Sequence, residues 1–309
     1  LLQSGKFVAD VCYFVGEAGP NDLPARGALQ PGLPAGYDYD GCDAKVVLHR
    51  MKVKDRRIVL PDGMSYAVMA LPNSRFMTPA MARRIRDLVR DGATVIGPRP
   101  EQSPSLVGYP QCDEEVRSIG NEVWGDCDGQ RVKQHAYGKG RVIWGMPMND
   151  VLKQIKLAPD FEYRSPGRAR LAYIHRRVDN AEVYFVSNQQ YRPVAADCYF
   201  RVSGRQPELW HADTGEMEPA PVWSKASGRT VVSLRLEPAE SVFVVFRKPA
   251  PSRYVTRVAR TGAGQAVQSP ERIEVRLARY EAPDGSRGAD VTGRVRALVA
   301  QGETDIPAS

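Results

Sequence analysis

The stretch LAYIHRRVDNAEVYFVSNQQYRPVAADCYFR, residues 171–201, decides the fold of the second half of this chain. Apolar and polar residues alternate with a period of two around EVYFV and CYFRV, and Asp, Asn and Pro interrupt these runs. Such alternation, bounded by turn residues, is typical of consecutive antiparallel strands. Further runs of this kind continue to residue 246, so we predict a β-sandwich over residues 165–248.

Upstream of this stretch, strands alternate with helices. FVADVCYFV at 7–15 is almost continuously apolar, as expected of a strand that is covered on both faces in a parallel sheet. After a strand at 66–71, Thr78 can cap a helix that has proline at its first position, and Gly92 ends it. The strand that follows at 93–97 completes a β-α-β unit, which favours a parallel connection.

A helix around residues 113–124 and a strand at 141–144 extend the same pattern. We therefore predict an open α/β domain of flavodoxin or glutamine-amidotransferase type over residues 1–150, which makes the fold class α/β plus all-β. Residues 249–270 are rich in Pro, Gly, Ser, Arg and Thr and are predicted to be a linker. Residues 271–309 are predicted to begin a truncated, β-rich accessory domain.

Composition disfavours several classes of protein. The 309 residues are 42% hydrophobic and 26% charged, as in ordinary globular proteins. The formal charge of +7 divides as +2 over residues 1–145, +3 over 146–248 and +2 over 249–309. A nucleic-acid-binding protein would concentrate this charge in one patch, so no nucleic-acid partner is predicted, and the arginines are interpreted as solvated surface. No apolar run approaches the roughly 18–20 residues of a membrane-spanning helix.

The chain opens at Leu1 with a core strand only a few residues later, so we expect it to be a piece of a longer protein, from which any signal peptide is missing. Its five cysteines form no CxxC pair and have no spacing to histidine suited to zinc. Cys12 and Cys198 lie inside predicted strands and are interpreted as buried apolar side chains. A disulfide between Cys112 and Cys127 stays open. No cofactor is predicted within the chain.

The loop at residues 16–43 is the strongest candidate for a binding site. It runs for 28 residues without periodicity, and it leaves the carboxyl end of the first strand, where open α/β sheets bind ligands. Carboxylates accept hydrogen bonds from neighbouring sugar hydroxyls, and aromatic rings cover the apolar face of a sugar. The predicted substrate-binding residues are Glu17, Asn21, Tyr37, Asp38 and Asp40. The alternative is a surface loop packed against a neighbouring domain.

Other motifs give weaker indications of chemistry. Asp38 and Asp40 lack the glycine and the distal glutamate of an EF-hand calcium loop. Glutamine amidotransferases carry a nucleophilic cysteine on the turn after a strand, and the predicted turns of this chain carry none, so that activity is not indicated. His175 and the turn at 188–190 can face a ligand, although a histidine at the start of a sandwich is more often structural.

Seven motifs over about residues 1–248 resemble the region that follows the catalytic barrel in glycoside hydrolase family 106, the α-L-rhamnosidases. In chain order they are VADVCYFVGEAGPNDLP, PAGYDYDGCD, RRIVLPDGMSYAVMALP, FMTPAMARRIRDLVRDGATVIGPRP, SPSLVGYPQCDEEV, YGKGRVIWG and LAYIHRRVDNAEVYFVSN. The resemblance implies a large secreted or periplasmic enzyme with an N-terminal (β/α)8 barrel, followed by this α/β domain and one or more β-sandwiches.

Members of this family look like inverting, calcium-assisted hydrolases of terminal α-L-rhamnose on plant polysaccharides and glycosides. One carboxylic acid protonates the leaving oxygen and one carboxylate activates water. The resemblance assigns both acids to the missing barrel, so no catalytic residue maps onto this chain, and we expect it to be inactive alone. Its implied partner is a rhamnose-containing glycan. The alternative is a non-catalytic carbohydrate-binding or scaffold module with an amidotransferase-like fold.

Overall fold

A computed structural model describes residues 1–19, 22–258, 279–281, 287–293 and 295–296. The chain divides into two compact units, each drawn from several segments. Unit 1 comprises Leu1–Glu162, Ile174–Tyr184 and Tyr199–Ser203, and unit 2 comprises Tyr163–Tyr173, Phe185–Cys198 and Gly204–Ser309. The domain boundaries drawn from the sequence stay predictions.

The first part of unit 1 alternates short strands with helices. Its elements are β1 (Lys6–Phe7), β2 (Val11–Phe14), a 3₁₀ helix (Arg26–Ala28), β3 (Tyr39–Cys42), α1 (Ala44–His49), β4 (Lys52–Lys54), β5 (Arg57–Val59), β6 (Ser65–Tyr66), β7 (Val68–Ala70), α2 (Pro79–Asp91), β8 (Thr94–Ile96), α3 (Gln111–Trp124), β9 (Gln134–Tyr137), β10 (Gly140–Ile143) and α4 (Met148–Gln154). Four further strands are divided between the units, namely β11 (Phe161–Arg164), β12 (Leu171–Val178), β13 (Ala181–Asn188) and β14 (Val194–Phe200).

Six strands of unit 1 form one sheet in the order β3-β2-β7-β8-β10-β9. The first five are parallel, and β9 joins antiparallel at the edge. Every residue of β2, β7 and β8 is buried, which explains why all of them except Thr94 are apolar. The predicted parallel connection through β7, α2 and β8 is confirmed, because Met69 pairs with Val95 in parallel register.

Helix α2 begins and ends where its sequence predicts. The Thr78 hydroxyl accepts a hydrogen bond from the Met81 N–H at 3.3 Å, and proline occupies the first helical position. Gly92 ends the helix with φ +128°, a conformation that favours glycine because it has no Cβ. The buried side of the helix carries Met81, Ala82, Ile85, Leu88 and Val89. Their spacing therefore fixes which side of α2 packs on the sheet.

Two apolar cores cover the two faces of this sheet, as the alternating side chains of β2 show. Cys12 and Phe14 point into a core that includes residues of α2 and α3, whereas Val11 and Tyr13 point into a core that includes residues of α4. Trp124, at the end of α3, is almost completely buried, and its indole N–H donates to the Gly97 carbonyl at 3.0 Å.

The single strand predicted at residues 7–15 is divided in the structure. β1 pairs antiparallel with β12 through Lys6 with Arg177 and Phe7 with Arg176, whereas β2 enters the parallel sheet. The chain changes pairing partner near Asp10, a buried carboxylate that forms an ion pair with Arg201. Asp10 therefore interrupts the apolar run, because its buried charge has to be paired with Arg201.

In the described part of unit 2, the strands that follow β14 are β15 (Arg205–His211), β16 (Met217–Pro219), β17 (Trp223–Ala226), β18 (Arg229–Leu236), β19 (Ser241–Pro249), β20 (Arg279–Glu281) and β21 (Arg287–Asp290). β15 pairs antiparallel with β16 and β19, β17 with β18, and β20 with β21. The predicted antiparallel, all-β content is confirmed, and its packing as a sandwich stays a prediction. The predicted linker and accessory domain lie mostly outside the described residues.

The five cysteines are all buried and free, so Cys112 and Cys127 are not joined. The interpretation of Cys12 and Cys198 as buried apolar side chains is confirmed. In the part of the chain that the structure describes, no helix has the length and apolarity needed to cross a membrane.

Candidate functional site

A pocket lies at the carboxyl edge of the parallel sheet, where the strand order reverses at β2. β3 is on one side of β2 and β7 is on the other, so the chain segments leaving β2 and β7 border a crevice. Open α/β sheets bind ligands at such a position. The pocket has a volume of about 230 Å³, and most of its lining is apolar, including Phe14, Leu71, Pro72 and Met77.

Among the predicted site residues that the structure describes, Glu17 is the one that lines this pocket. Its two carboxylate oxygens accept hydrogen bonds from Thr78, at 2.8 Å from the backbone N–H and at 2.7 Å from the hydroxyl. Thr78 caps α2, and a carboxylate near a helix N-terminus is stabilised by the helix dipole. Both oxygens are thus already engaged in holding the start of the helix.

The two predicted aspartates lie toward the opposite end of the sheet. Asp38 comes directly before β3 and Asp40 lies within it, and β3 runs parallel to β2, whose far end leads to Glu17. Tyr37 is buried, and its hydroxyl donates to the Leu157 carbonyl at 2.7 Å. Asn21 lies outside the described residues. The structure therefore does not bring Glu17 together with the two aspartates, and sugar binding by this set stays a prediction.

Asp38 and Asp40 have different partners. Asp38 accepts a hydrogen bond from the Tyr39 N–H at 3.0 Å and lies 3.6 Å from the Arg26 guanidinium. Asp40 accepts from the Gly41 N–H at 2.8 Å and from the Tyr66 hydroxyl at 2.7 Å. Among the described residues, no group of three or more His, Cys, Asp or Glu side chains is placed to hold a metal ion. The pair does not fit the calcium ion that the family resemblance implies.

The pH dependence of stability tests whether Asp38 is buried as the structure shows. Burial raises the pKa of Asp38 to about 6, although the Tyr39 N–H and Arg26 act to lower it. The unfolded value is about 3.9, so the contribution of Asp38 to stability is fully present below that pH and is lost as the pH rises through about 6. Asp38→Asn should remove this dependence, so the unfolding free energy of wild type relative to the variant should fall by roughly 2 kcal/mol between pH 4 and 7. Urea titrations of both proteins across this range measure it, and a constant difference would contradict it.

A buried ionic network, which the sequence did not predict, lies elsewhere in unit 1. It consists of Asp10, Asp160, His175, Glu182 and Arg201. His175 Nδ1 lies 2.8 Å from an Asp160 oxygen, and Nε2 lies 2.9 Å from a Glu182 oxygen. Arg201 joins two of the carboxylates, with one nitrogen 3.0 Å from Asp10 and 3.2 Å from Asp160. Asp160 and His175 are only 1% and 3% exposed, so this network is part of the interior.

The network resembles an acid-base relay in composition, but its geometry does not suit catalysis. Both ring nitrogens of His175 already contact carboxylates, and the ring stacks on Tyr184 at 3.8 Å between centroids. Burial acts to lower the pKa of His175, but Asp160 and Glu182 outweigh it and raise that pKa. Burial likewise acts to raise the pKa of Asp160, and His175 and Arg201 outweigh it and lower that pKa. The arrangement holds an imidazolium between carboxylates and is structural, as the sequence favoured for His175.

The sequence carried one signal of this network. His175 lies on the inward side of β12, where an apolar side chain is expected. A histidine at such a position indicates that its ring nitrogens have polar partners in the interior. Asp160 and Arg201 gave no comparable signal. The turn at 188–190 is also structural, since the Asn188 amide donates to the Arg192 and Glu237 carbonyls at 2.7 and 2.9 Å.

Comparisons with known proteins agree on one group of enzymes. The family model of glycoside hydrolase family 106, described as alpha-L-rhamnosidase, matches residues 1–224. A protein named "Putative beta-glucuronidase" from Formosa agariphila is 34% identical over 312 residues, which is 100% of this chain and 25% of that protein. The solved structure of a rhamnosidase from Novosphingobium sp. PP1Y is 34% identical with a TM-score of 0.72, and the match covers 84% of this chain and 24% of that one.

These similarities place the chain among the glycoside hydrolase families. Within that class, the chain belongs to glycoside hydrolase family 106, the α-L-rhamnosidase family, because the family model covers well over half of it. The resemblance found in the sequence motifs is thus confirmed. The chain spans about a quarter of the length of the relatives that it matches.

Proposed function

We propose that this chain is a supporting, non-catalytic region of an enzyme that removes terminal α-L-rhamnose from plant polysaccharides or glycosides. The observation that carries the proposal is the match to the Novosphingobium rhamnosidase, which combines 34% identity with a TM-score of 0.72. The catalytic barrel would lie in the part of the protein that this chain does not include. Such substrates lie outside the cell, which supports a secreted or periplasmic location.

The carboxylates support the non-catalytic role. An inverting glycosidase needs a carboxylic acid and a carboxylate about 6.5–9.5 Å apart, with room between them for the sugar and water. Glu17 is engaged by the capping residue of α2, and Asp160 is enclosed in the ionic network. Neither candidate region described above offers such a pair to a substrate, so the reacting acids would come from the barrel.

The strand order supports assigning the α/β portion to the flavodoxin type. The five parallel strands, taken in chain order, are β2, β3, β7, β8 and β10, and in the sheet they lie in the order second, first, third, fourth, fifth. This is the order of flavodoxin-like folds. We propose that the fold acts here as a scaffold, because its switch-point pocket is mainly apolar and its one carboxylate is engaged.

An activity assay tests the proposal. The full-length protein should hydrolyse an aryl α-L-rhamnoside, and the purified 309-residue chain should not, because it lacks the two acids. Circular dichroism of the purified chain establishes that it is folded, and an aryl β-D-glucuronide serves as the matched substrate control. Turnover of the rhamnoside by the chain alone would refute the supporting role. Hydrolysis of only the glucuronide by the full-length protein would refute the substrate assignment.

A further inference from the structure

A cleft beside the amino ends of β2 and β7 has an unusual concentration of positive charge. Its volume is about 400 Å³, and it lies wholly within unit 1. Four cationic side chains line it, and among its lining residues Asp10 is the one carboxylate. The cationic residues are Lys6, Arg57, Arg177 and Arg201. We call this feature the basic cleft.

The neighbouring carboxylates do not balance these cations. Arg201 is paired with Asp10 and Asp160, and Arg177 with Glu182 at 3.0 Å. Asp160 and Glu182 also hold His175, whose pKa they raise, so they are shared between cations. The region therefore keeps an excess of positive charge around a concave surface.

Arg57 is the clearest sign that a negative group is missing. Its guanidinium donates to the Ser65 hydroxyl at 2.6 Å and to the Ser65 carbonyl at 3.0 Å, both neutral acceptors, and forms no ion pair within the described residues. Burial lowers the pKa of Arg57, and the charges of Arg201 and Arg177 lower it further against the opposing effect of Asp10. A partly buried guanidinium among other cations costs free energy that a bound anion would offset.

Lys6 also lines the basic cleft. It lies on β1 opposite Arg177, so the pairing of β1 with β12 holds both cations at one position of the sheet. Its ammonium group packs so closely on Gly63 that a Cβ added there would collide with it, and Gly63 has a φ of +89°, which favours glycine. The absence of a side chain at Gly63 therefore leaves room for the lysine at the wall of the cleft.

We propose that the basic cleft binds the anionic group of a charged sugar residue, a carboxylate or a sulfate ester. The planar fork of arginine matches the paired oxygens of either group, and lysine adds a point charge. The cleft volume falls within the range of small-molecule sites and accommodates one sugar ring. The choice of a saccharide rests on the proposed function, since the geometry by itself specifies only a compact anion.

Calorimetric titration of the 309-residue chain tests this proposal. The probes are glucuronate, glucose 6-sulfate, neutral glucose and inorganic sulfate. At least one charged sugar should bind, more weakly at high salt, and glucose should not. Arg57→Gln and Lys6→Gln should each weaken binding about tenfold, as expected for the loss of a charge-assisted hydrogen bond. Lys45→Gln, at an exposed lysine that does not line the cleft, is the matched control and should leave binding unchanged.

Each outcome decides the proposal. Binding of glucuronate alone assigns a uronate, and binding of glucose 6-sulfate alone assigns a sulfate ester. The proposal is overturned if neither charged sugar binds, if folded Lys6→Gln binds as wild type does, or if inorganic sulfate binds as tightly as the sugars, which would mean an adventitious ion only. If a charged sugar binds but the full-length protein does not hydrolyse the rhamnoside, only the proposed function is refuted. If the rhamnoside is hydrolysed but no charged sugar binds, only the proposed binding by the basic cleft is refuted.

Discussion

Asp160→Ala is expected to lower the free energy of unfolding by about 3–5 kcal/mol, because removing one partner of a buried ion pair leaves the other uncompensated. Asp160 contacts His175 at 2.8 Å, Arg201 at 3.2 Å and the Tyr184 hydroxyl at 2.9 Å. The change removes all three contacts at a position that is 1% exposed. Urea unfolding followed by circular dichroism measures the loss.

Asp160→Asn is the matched control, because it keeps the size of the side chain and a hydrogen-bond acceptor but removes the charge. Its destabilisation should be smaller than that of Asp160→Ala, and in both variants the pKa of His175 should fall, since the carboxylate that acts most strongly to raise it is gone. Titration of the His175 ring by NMR follows this change. A loss below about 1 kcal/mol for Asp160→Ala, together with an unmoved His175 pKa, would show that the network does not stabilise the fold.

Trp124→Ala is expected to destabilise the α/β portion by about 3–5 kcal/mol, the usual cost of truncating a large buried aromatic side chain. The indole is 1% exposed and packs in the core that α2 and α3 share with the sheet. Its N–H also satisfies the carbonyl of Gly97, directly after β8, at 3.0 Å. The variant should therefore both open a cavity and leave a buried acceptor without its donor.

Trp124→Phe separates the two contributions. Phenylalanine fills most of the cavity but cannot donate, so this variant should lose about 1–3 kcal/mol, mainly from the unsatisfied Gly97 carbonyl. Thermal and urea unfolding by circular dichroism compare the two variants with wild type. Equal losses for alanine and phenylalanine would mean that the hydrogen bond, rather than the packing, accounts for the stability contributed by Trp124.

Local structure followed from local sequence wherever a periodic pattern repeated over several residues. The spacing of Met81, Ile85 and Leu88, with Thr78 before and Gly92 after, predicted α2 because capping and amphipathicity act within one element. Period-two alternation predicted strands such as β18 for the same reason. The order of seven motifs also identified the family, which the matching family model confirms.

The tertiary structure alone decided where the charged groups meet. Glu17, Asp38 and Asp40 share one loop in the sequence, but the parallel strands carry Glu17 away from the two aspartates. Conversely, Arg201 reaches Asp10 across 191 positions of the chain.

The sequence by itself thus determined the types of many elements and the two classes of sheet, because short-range periodicity governs these features, and the order of its motifs identified the family. The buried ionic network and the basic cleft were decided only by the tertiary structure. The energy of a charge depends on its burial and on partners brought from distant segments, and neither quantity is encoded in local spacing.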